Sequence, residues 1–258
     1  MTVYFIGAGP GDPDLLTVRG LRLIERCPVC LYAGSLVPAE VVAGAPADAT
    51  VVNTAELDLE QIVALMAAAH AAGRDVARVH SGDPSIYGAV AEQMRRLQAL
   101  GIPYEMVPGV SSFTAAAAAL GLELTPAGAN QTLILTRAGG RTGLPDNEAL
   151  AELARHRTGM VLFLSAAQVP AVVEALAPAY GPDQPVVVAY RVSWPDQVIL
   201  RCTVGTLAQE MAAAGIRLTA LILVGPMLDP DRARDSHLYD PAYSHRFRRG
   251  QGREGHRL

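Results

Sequence analysis

Val3-Tyr4-Phe5-Ile6-Gly7-Ala8-Gly9-Pro10-Gly11-Asp12-Pro13 opens the chain. A short apolar run that breaks into a Gly/Pro turn, followed by amphipathic spacing over residues 17–26, reads as a buried strand, a loop and a helix. The same unit then recurs. Strands are expected at 29–32, 75–79 and 104–107, and helices at 59–72, 87–100 and 111–120. This alternation implies a mostly parallel sheet covered on both faces.

After Leu124-Thr125-Pro126-Ala127-Gly128 the pattern restarts. Strands are expected at 132–136, 160–164, 185–190 and 218–224, with 198–203 as an antiparallel partner. Helices are expected at 147–155, at 206–214, and in a segment with Pro170 in its first turn. The fold class is therefore α/β, with two α/β domains over residues 1–120 and 121–230 joined near 121–130. Residues 231–258 are charged and nearly free of aliphatics, which makes them a tail, mobile at its end.

The chain has 258 residues, half of them apolar and 18% charged. That composition excludes a disordered polyelectrolyte. No apolar run reaches the ~20 residues that span a bilayer, and no basic leader precedes the first strand. A cytoplasmic protein with no membrane partner is expected. The net charge of −4 and the lack of a basic stripe argue against nucleic acid as the main partner. All 21 basic residues are arginine, the side chain suited to bidentate carboxylate binding.

Four loops follow expected strands, where α/β sheets place ligands. In the first, Asp12 stands where a dinucleotide fingerprint needs its third glycine, and Pro10 removes a donor that a pyrophosphate would use. A phosphate-binding P-loop also fails, because there is no lysine. What remains is a rigid turn that lets a ligand approach the main chain. The second loop is His80-Ser81-Gly82-Asp83-Pro84-Ser85. Its Asp83 has two readings: a hydrogen bond to a ligand amine or ribose, or a cap for a helix beginning at Tyr87. The third, Pro108-Gly109-Val110-Ser111-Ser112, offers amides and hydroxyls at a helix start, where Ser111 or Ser112 also serves as a cap. The fourth, Leu164-Ser165, is a weak signal by itself.

Cys27 and Cys30 form a C-x-x-C, but it follows a helix and enters an apolar strand, which points to buried structural thiols rather than a redox pair. No metal site is expected. Among the histidines, only His80 neighbours a ligand loop and stands as a weak proton-acceptor candidate beside Asp83.

In this order and spacing, Gly7–Pro13, Ser81-Gly82-Asp83-Pro84-Ser85 and Pro108-Gly109-Val110-Ser111-Ser112 resemble the tetrapyrrole (corrin/porphyrin) methyltransferase family, over residues 3–226. Tyr32-Ala33-Gly34-Ser35-Leu36-Val37 and Ser236-His237-Leu238-Tyr239-Asp240-Pro241 are similar to the branch that methylates precorrin-4, or its cobalt form, at ring carbon 11 in cobalamin biosynthesis. The resemblance implies a kinked S-adenosylmethionine held in the cleft between two α/β domains, not in a Rossmann site, and leaving as S-adenosylhomocysteine. Carried over by motif, cofactor contacts fall on Pro10, Ser81, Gly82, Asp83, Ile86, Ser111, Ser112 and Leu164, and on Thr219 and Ala220 at the entry to the last strand. Tyr32 and Ser35 are the implied substrate-facing residues. Relatives acting on uroporphyrinogen carry an aspartate where this chain has Ala33, so that reaction is disfavoured and the proton acceptor is unassigned. For a polycarboxylate substrate, Arg137, Arg191 and Arg78 are the candidate carboxylate ligands. Trp194, the only tryptophan, has two readings: stacking on the macrocycle, or packing inside the second domain. A homodimer is implied by the resemblance alone. Methylation of another ring carbon, a sibling acting on RNA or protein, and a silent S-adenosylmethionine-binding protein are the alternatives.

Overall fold

The structure is a computed structural model and describes residues 1–140 and 143–250. By internal contacts it divides into two units, one made of Met1–Leu120 with Tyr190–Val198, the other of the remaining described chain. In the first unit the elements run β1 (Val3–Gly7), α1 (Val18–Arg26), β2 (Val29–Tyr32), β3 (Thr50–Asn53), α2 (Leu59–Ala71), β4 (Val76–His80), α3 (Ala91–Ala99), β5 (Tyr104–Val107) and α4 (Ser112–Leu120). The sheet order is β3-β2-β4-β1-β5, and its pairs are parallel.

Alternation along the strands sorts the apolar residues between two cores. Val3, Phe5 and Leu31 pack with Ile62, Val63 and Met66 of α2 and Leu97 of α3. Ile6, Cys30 and Val79 pack with Leu23 and Ile24 of α1 on the opposite face. Two caps start the helices: the Thr17 side chain accepts from the Gly20 amide, and Asp58 and Gln61 form a capping box before α2. The chain leaves β1 through α1 toward β2, whereas it leaves β4 through α3 toward β5, on the other face. The neighbours β1 and β4 thus form a topological switch point, where α/β sheets open a crevice beyond their carboxyl ends.

Two elements differ from the sequence-based expectation. The edge strand β3 was not anticipated, because Val51 and Val52 are its only aliphatics and no strand-length run surrounds them. The helix expected from Tyr87 begins instead at Ala91. Tyr87 (φ 53°) and Ala89 (φ 49°) are left-handed, a conformation no right-handed helix accommodates.

The second unit contains β6 (Leu133–Arg137), α5 (Leu150–Ala154), β7 (Gly159–Phe163), α6 (Val169–Tyr180), β8 (Pro185–Tyr190), β9 (Val198–Thr203), α7 (Leu207–Ala213) and β10 (Ala220–Val224). Its sheet order is β6-β7-β10-β8-β9, with β7 parallel to β6 and antiparallel to β10. Met160, Leu162, Leu176, Leu207, Met211 and Ile222 are its fully buried large side chains.

Residues 190–198, expected within the second domain, group with the first unit. The described part of the expected tail, residues 231–250, groups with the second unit as a series of turns. The Arg234 amide donates to Ala127 O (2.8 Å), and Arg248 Nη2 donates to the carbonyls of Leu238 (2.8 Å) and Asp240 (2.6 Å). The expected mobile end, residues 251–258, lies outside the described residues. Among the described residues no helix is long and apolar enough to cross a membrane.

Candidate functional site

At the carboxyl ends of β1, β4 and β5 the three Gly-rich loops converge. Ala8 N donates to His80 O (2.7 Å), and Gly9 and Gly82 exchange hydrogen bonds in both directions (3.2 and 2.7 Å). Both glycines are left-handed, at φ 77° and 61°, where a side chain is disfavoured. The third loop approaches more closely still. A Cβ on Gly109 would lie 2.2 Å from Gly82 O and 2.7 Å from Gly7 Cα. Three backbones therefore meet at a point that admits no side chain.

Asp83 ties two of the loops together. Its Oδ2 accepts the Gly109 amide (2.9 Å) and its Oδ1 accepts the Ser85 amide (2.8 Å). Partial burial pushes its carboxyl pKa up, but hydrogen bonds from the Ser85 hydroxyl, the Gly109 amide and the Ser85 amide together bring it below the ordinary carboxylate range. Capping at Tyr87 is ruled out, since no helix starts there. An ionised carboxylate engaged at both oxygens is also a weak general base. Ser81 and Ile86 flank this staple, half-buried, and Ser111 is buried where α4 begins, with Ser112 as its first residue. Pro10, Ser81, Gly82, Asp83, Ile86, Ser111 and Ser112 thus all belong to these three loops.

His80 lies beneath them. It is 5% exposed, with its ring centroid 5.9 Å from that of Phe5. Burial, then the charge of Arg78, pushes its pKa down to about 3, against the pull of a hydrogen bond to the Gly88 main chain. Its Nε2 has no partner among the described residues. Such a ring is neutral at neutral pH and too weak a base to hold a proton there, so the geometry does not favour His80 as acceptor.

Arg78 is not on a rim. It is 3% exposed, donating to Gln93 Oε1 (3.0 Å), Thr54 Oγ1 (3.1 Å) and Leu31 O (3.3 Å), and burial lowers its pKa to about 10. Its place on β4, facing the α2–α3 core, sets it inside the sheet layer. Tyr32 and Ser35 lie at the carboxyl end of the neighbouring β2, half-buried and exposed respectively.

The segment 190–198 brings two further side chains to the first loop. Trp194 Nε1 donates to Pro10 O (2.9 Å), and the Asp12 amide donates to Ser193 Oγ (3.0 Å). The indole covers Gly11 so closely that a Cβ there would sit 2.2 Å from Trp194 Nε1. Packing of Trp194 inside the second domain is thereby corrected: it packs on the first unit's Gly-rich loop. Arg191 stacks on the indole, its Cζ 4.0 Å from the ring, and pairs through Nε with Asp196 (2.8 Å).

In the second unit the named residues also share one end of the sheet. β7 pairs Leu162 with Ile222 of β10, a register that sets Leu164 opposite Ala220. Leu164 (φ 51°) and Thr219 (φ 55°) are both left-handed, and Leu164 is 65% exposed. Left-handed non-glycine residues of this kind concentrate at ligand sites. Arg137 ends the adjacent β6, and its Nη2 donates to Gly143 O (3.1 Å). Ser165, fully buried, joins the two strand ends by accepting from Ala138 N (2.8 Å) and donating to Phe163 O (2.7 Å). It is a structural tie.

Cys27 and Cys30 are buried. Burial foremost raises their pKa values to about 11 and 12, so they are thiols without redox reactivity at neutral pH. Among the described residues no cluster of three metal-ligating side chains exists.

The sequence profile of the tetrapyrrole (corrin/porphyrin) methylases matches residues 2–208. A precorrin-4 C(11)-methyltransferase of Pseudomonas aeruginosa is 57% identical over 251 residues, covering 97% of this chain and 100% of that protein. The solved structure of a cobalt precorrin-4 methyltransferase, a cobalamin biosynthetic enzyme, superposes with a TM-score of 0.86 at 47% identity, covering 89% of this chain and 96% of the other. A uroporphyrin-III C-methyltransferase of Thermus thermophilus, solved with S-adenosyl homocysteine, gives 0.74 at 29% identity, covering 88% and 99%.

Proposed function

The chain belongs to the tetrapyrrole (corrin/porphyrin) methylase family, and from that premise we propose that it transfers the methyl group of S-adenosylmethionine to carbon 11 of precorrin-4 in cobalamin biosynthesis. The observation that carries this reading is the meeting of the 7–13, 81–86 and 108–112 loops at the switch point of the first sheet.

The residues present suit a sulfonium nucleoside. The loops offer main-chain carbonyls, amides and hydroxyls at backbones that only glycine brings so close, and their two carboxylates are engaged locally, Asp83 accepting from the Gly109 and Ser85 amides and Asp12 from the Asp14 amide. When bound, S-adenosylmethionine supplies an electrophilic methyl that an electron-rich ring carbon attacks directly. The protein's share is orientation, worth roughly 7–11 kcal/mol when reacting atoms are held about 3 Å apart. Pro10, Ser81, Gly82, Asp83, Ile86, Ser111 and Ser112, with Leu164, Thr219 and Ala220 of the second unit, are the proposed cofactor contacts. Tyr32, Ser35, Arg137 and Arg191 are the proposed substrate contacts. Ala33 leaves no side-chain base at the position used by relatives acting on uroporphyrinogen.

The test is incubation of the pure protein with S-adenosylmethionine and precorrin-4, with and without cobalt, locating the new methyl by mass and carbon-13 spectroscopy. A methyl at carbon 11 is the expected result, and the more active substrate identifies the physiological form. A methyl elsewhere, or none, overturns the reading. Asp83→Asn probes the loop staple, because its amide nitrogen cannot accept from Gly109 or Ser85. Loss of hydrogen bonds to a charged group, about 1.5–3 kcal/mol, is expected to weaken S-adenosylhomocysteine binding about tenfold in calorimetry. We further infer a cytoplasmic homodimer, for which sedimentation should give twice the 27.1 kDa chain mass.

A further inference from the structure

The segment 190–198 makes two kinds of contact through one ring. Along its edge, the indole N–H of Trp194 is bonded to the carbonyl of Pro10, a proposed cofactor contact. Against its face lies the guanidinium of Arg191, a proposed substrate contact. The backbone holding them is strained, with Arg191 at φ 43° and Ser193 at φ 68°, conformations that persist only where surrounding contacts enforce them. Those contacts are visible: Ser193 Oγ accepts from Asp12 N, Ser193 N donates to Gln197 Oε1 (2.8 Å), and Asp196 takes Arg191 Nε. Asp196 and the ring fix the guanidinium plane, while Nη1 and Nη2 have no protein partner among the described residues. A planar, oriented fork with two free nitrogens is the geometry that grips a carboxylate bidentately.

We propose that Trp194 is a shared positioning residue, whose N–H holds the 7–13 loop in its cofactor-binding form and whose ring face aims Arg191 at a substrate carboxylate. This rests on the methyltransferase reading above. One aromatic side chain then sets the placement of both reactants, so its two functions separate by substitution. Trp194→Phe keeps a stacking face but leaves the buried Pro10 carbonyl without its donor. Arg191→Ala removes the fork and leaves the N–H bond intact.

The experiment measures S-adenosylhomocysteine Kd by calorimetry and KM for each substrate. Trp194→Phe is expected to raise the S-adenosylhomocysteine Kd and the S-adenosylmethionine KM about tenfold, as loss of one bond to a buried acceptor does, with kcat and the tetrapyrrole KM changed less than about threefold. Arg191→Ala is expected to raise the tetrapyrrole KM about tenfold with an unchanged S-adenosylhomocysteine Kd, and Arg191→Lys to recover only part of that loss. Because Trp194 is the only tryptophan, its fluorescence in the unaltered protein should shift on titration with S-adenosylhomocysteine, a readout independent of any variant's folding. If the unaltered protein binds S-adenosylhomocysteine with no change in emission, or if Trp194→Phe binds it as tightly, the proposal is overturned. If the unaltered protein does not bind it at all, the methyltransferase reading itself fails.

Discussion

Gly109→Ala is expected to abolish measurable S-adenosylhomocysteine binding while the chain retains its helical circular dichroism. The reason is steric. Gly109 is not left-handed, so alanine's backbone preferences are met, but its methyl would lie 2.2 Å from Gly82 O, 2.7 Å from Gly7 Cα and 2.8 Å from Gly7 C. All three are main-chain atoms at or just beyond the ends of hydrogen-bonded strands, and none swings aside as a side chain does. Overpacking typically costs about 1–3 kcal/mol, and here relief comes only by parting the β5 loop from the other two. That movement breaks the Asp83–Gly109 bond and dissolves the proposed cofactor cradle. Gly44→Ala is the control: its nearest neighbour would be Glu25 Cγ at 3.5 Å, an ordinary contact, so binding should be unchanged. An affinity within about threefold of the parent for Gly109→Ala, against that overpacking cost, would remove the convergence argument.

The second large effect is acid sensitivity through His80. Its folded pKa is depressed to about 3, against an unfolded value near 6.5. The folded state therefore binds fewer protons than the unfolded state between those values. Stability from this group is complete above pH 6.5 and is lost as pH falls through 6.5, at up to about 1.4 kcal/mol per pH unit. Between pH 7.5 and 5.0 the loss is about 2 kcal/mol. Urea denaturation of the parent and His80→Gln at both pH values isolates this contribution, since the remaining carboxylates and histidines titrate in both proteins. The parent should lose about 2 kcal/mol more than the variant over that interval. Equal losses would show that His80 is protonated in the fold as readily as in water.

Of the two strands that build the switch point, β1 was legible as a compact apolar run ending at Gly7, whereas β4 carries Arg78 and His80 among its valines and was legible mainly from its place in the strand–helix alternation that a parallel sheet requires. β3 escaped because an edge strand buries little and needs few aliphatics. The early start expected for α3 followed from apolar spacing, which registers side chains but not the sign of φ at Tyr87 and Ala89. Arg78 looked like a surface cation because a buried guanidinium ordinarily has an acidic partner in reach. In the fold its hydrogen-bond acceptors are Gln93, Thr54 and a carbonyl, uncharged groups scattered over residues 31–93. Trp194 was placed with its sequence neighbours, whereas its N–H finds a carbonyl 184 positions away.

Local patterning alone determined the alternation of strands and helices, a break within residues 121–130 and the identity of the Gly-rich loops, because periodicity, glycine and proline act over a few residues. Only the tertiary structure decided which of those loops touch, which cations are buried, and that residues 190–198 clasp the first loop. Those outcomes depend on backbone-to-backbone distances across the sheet, and such distances arise when the strands pair in the order β3-β2-β4-β1-β5.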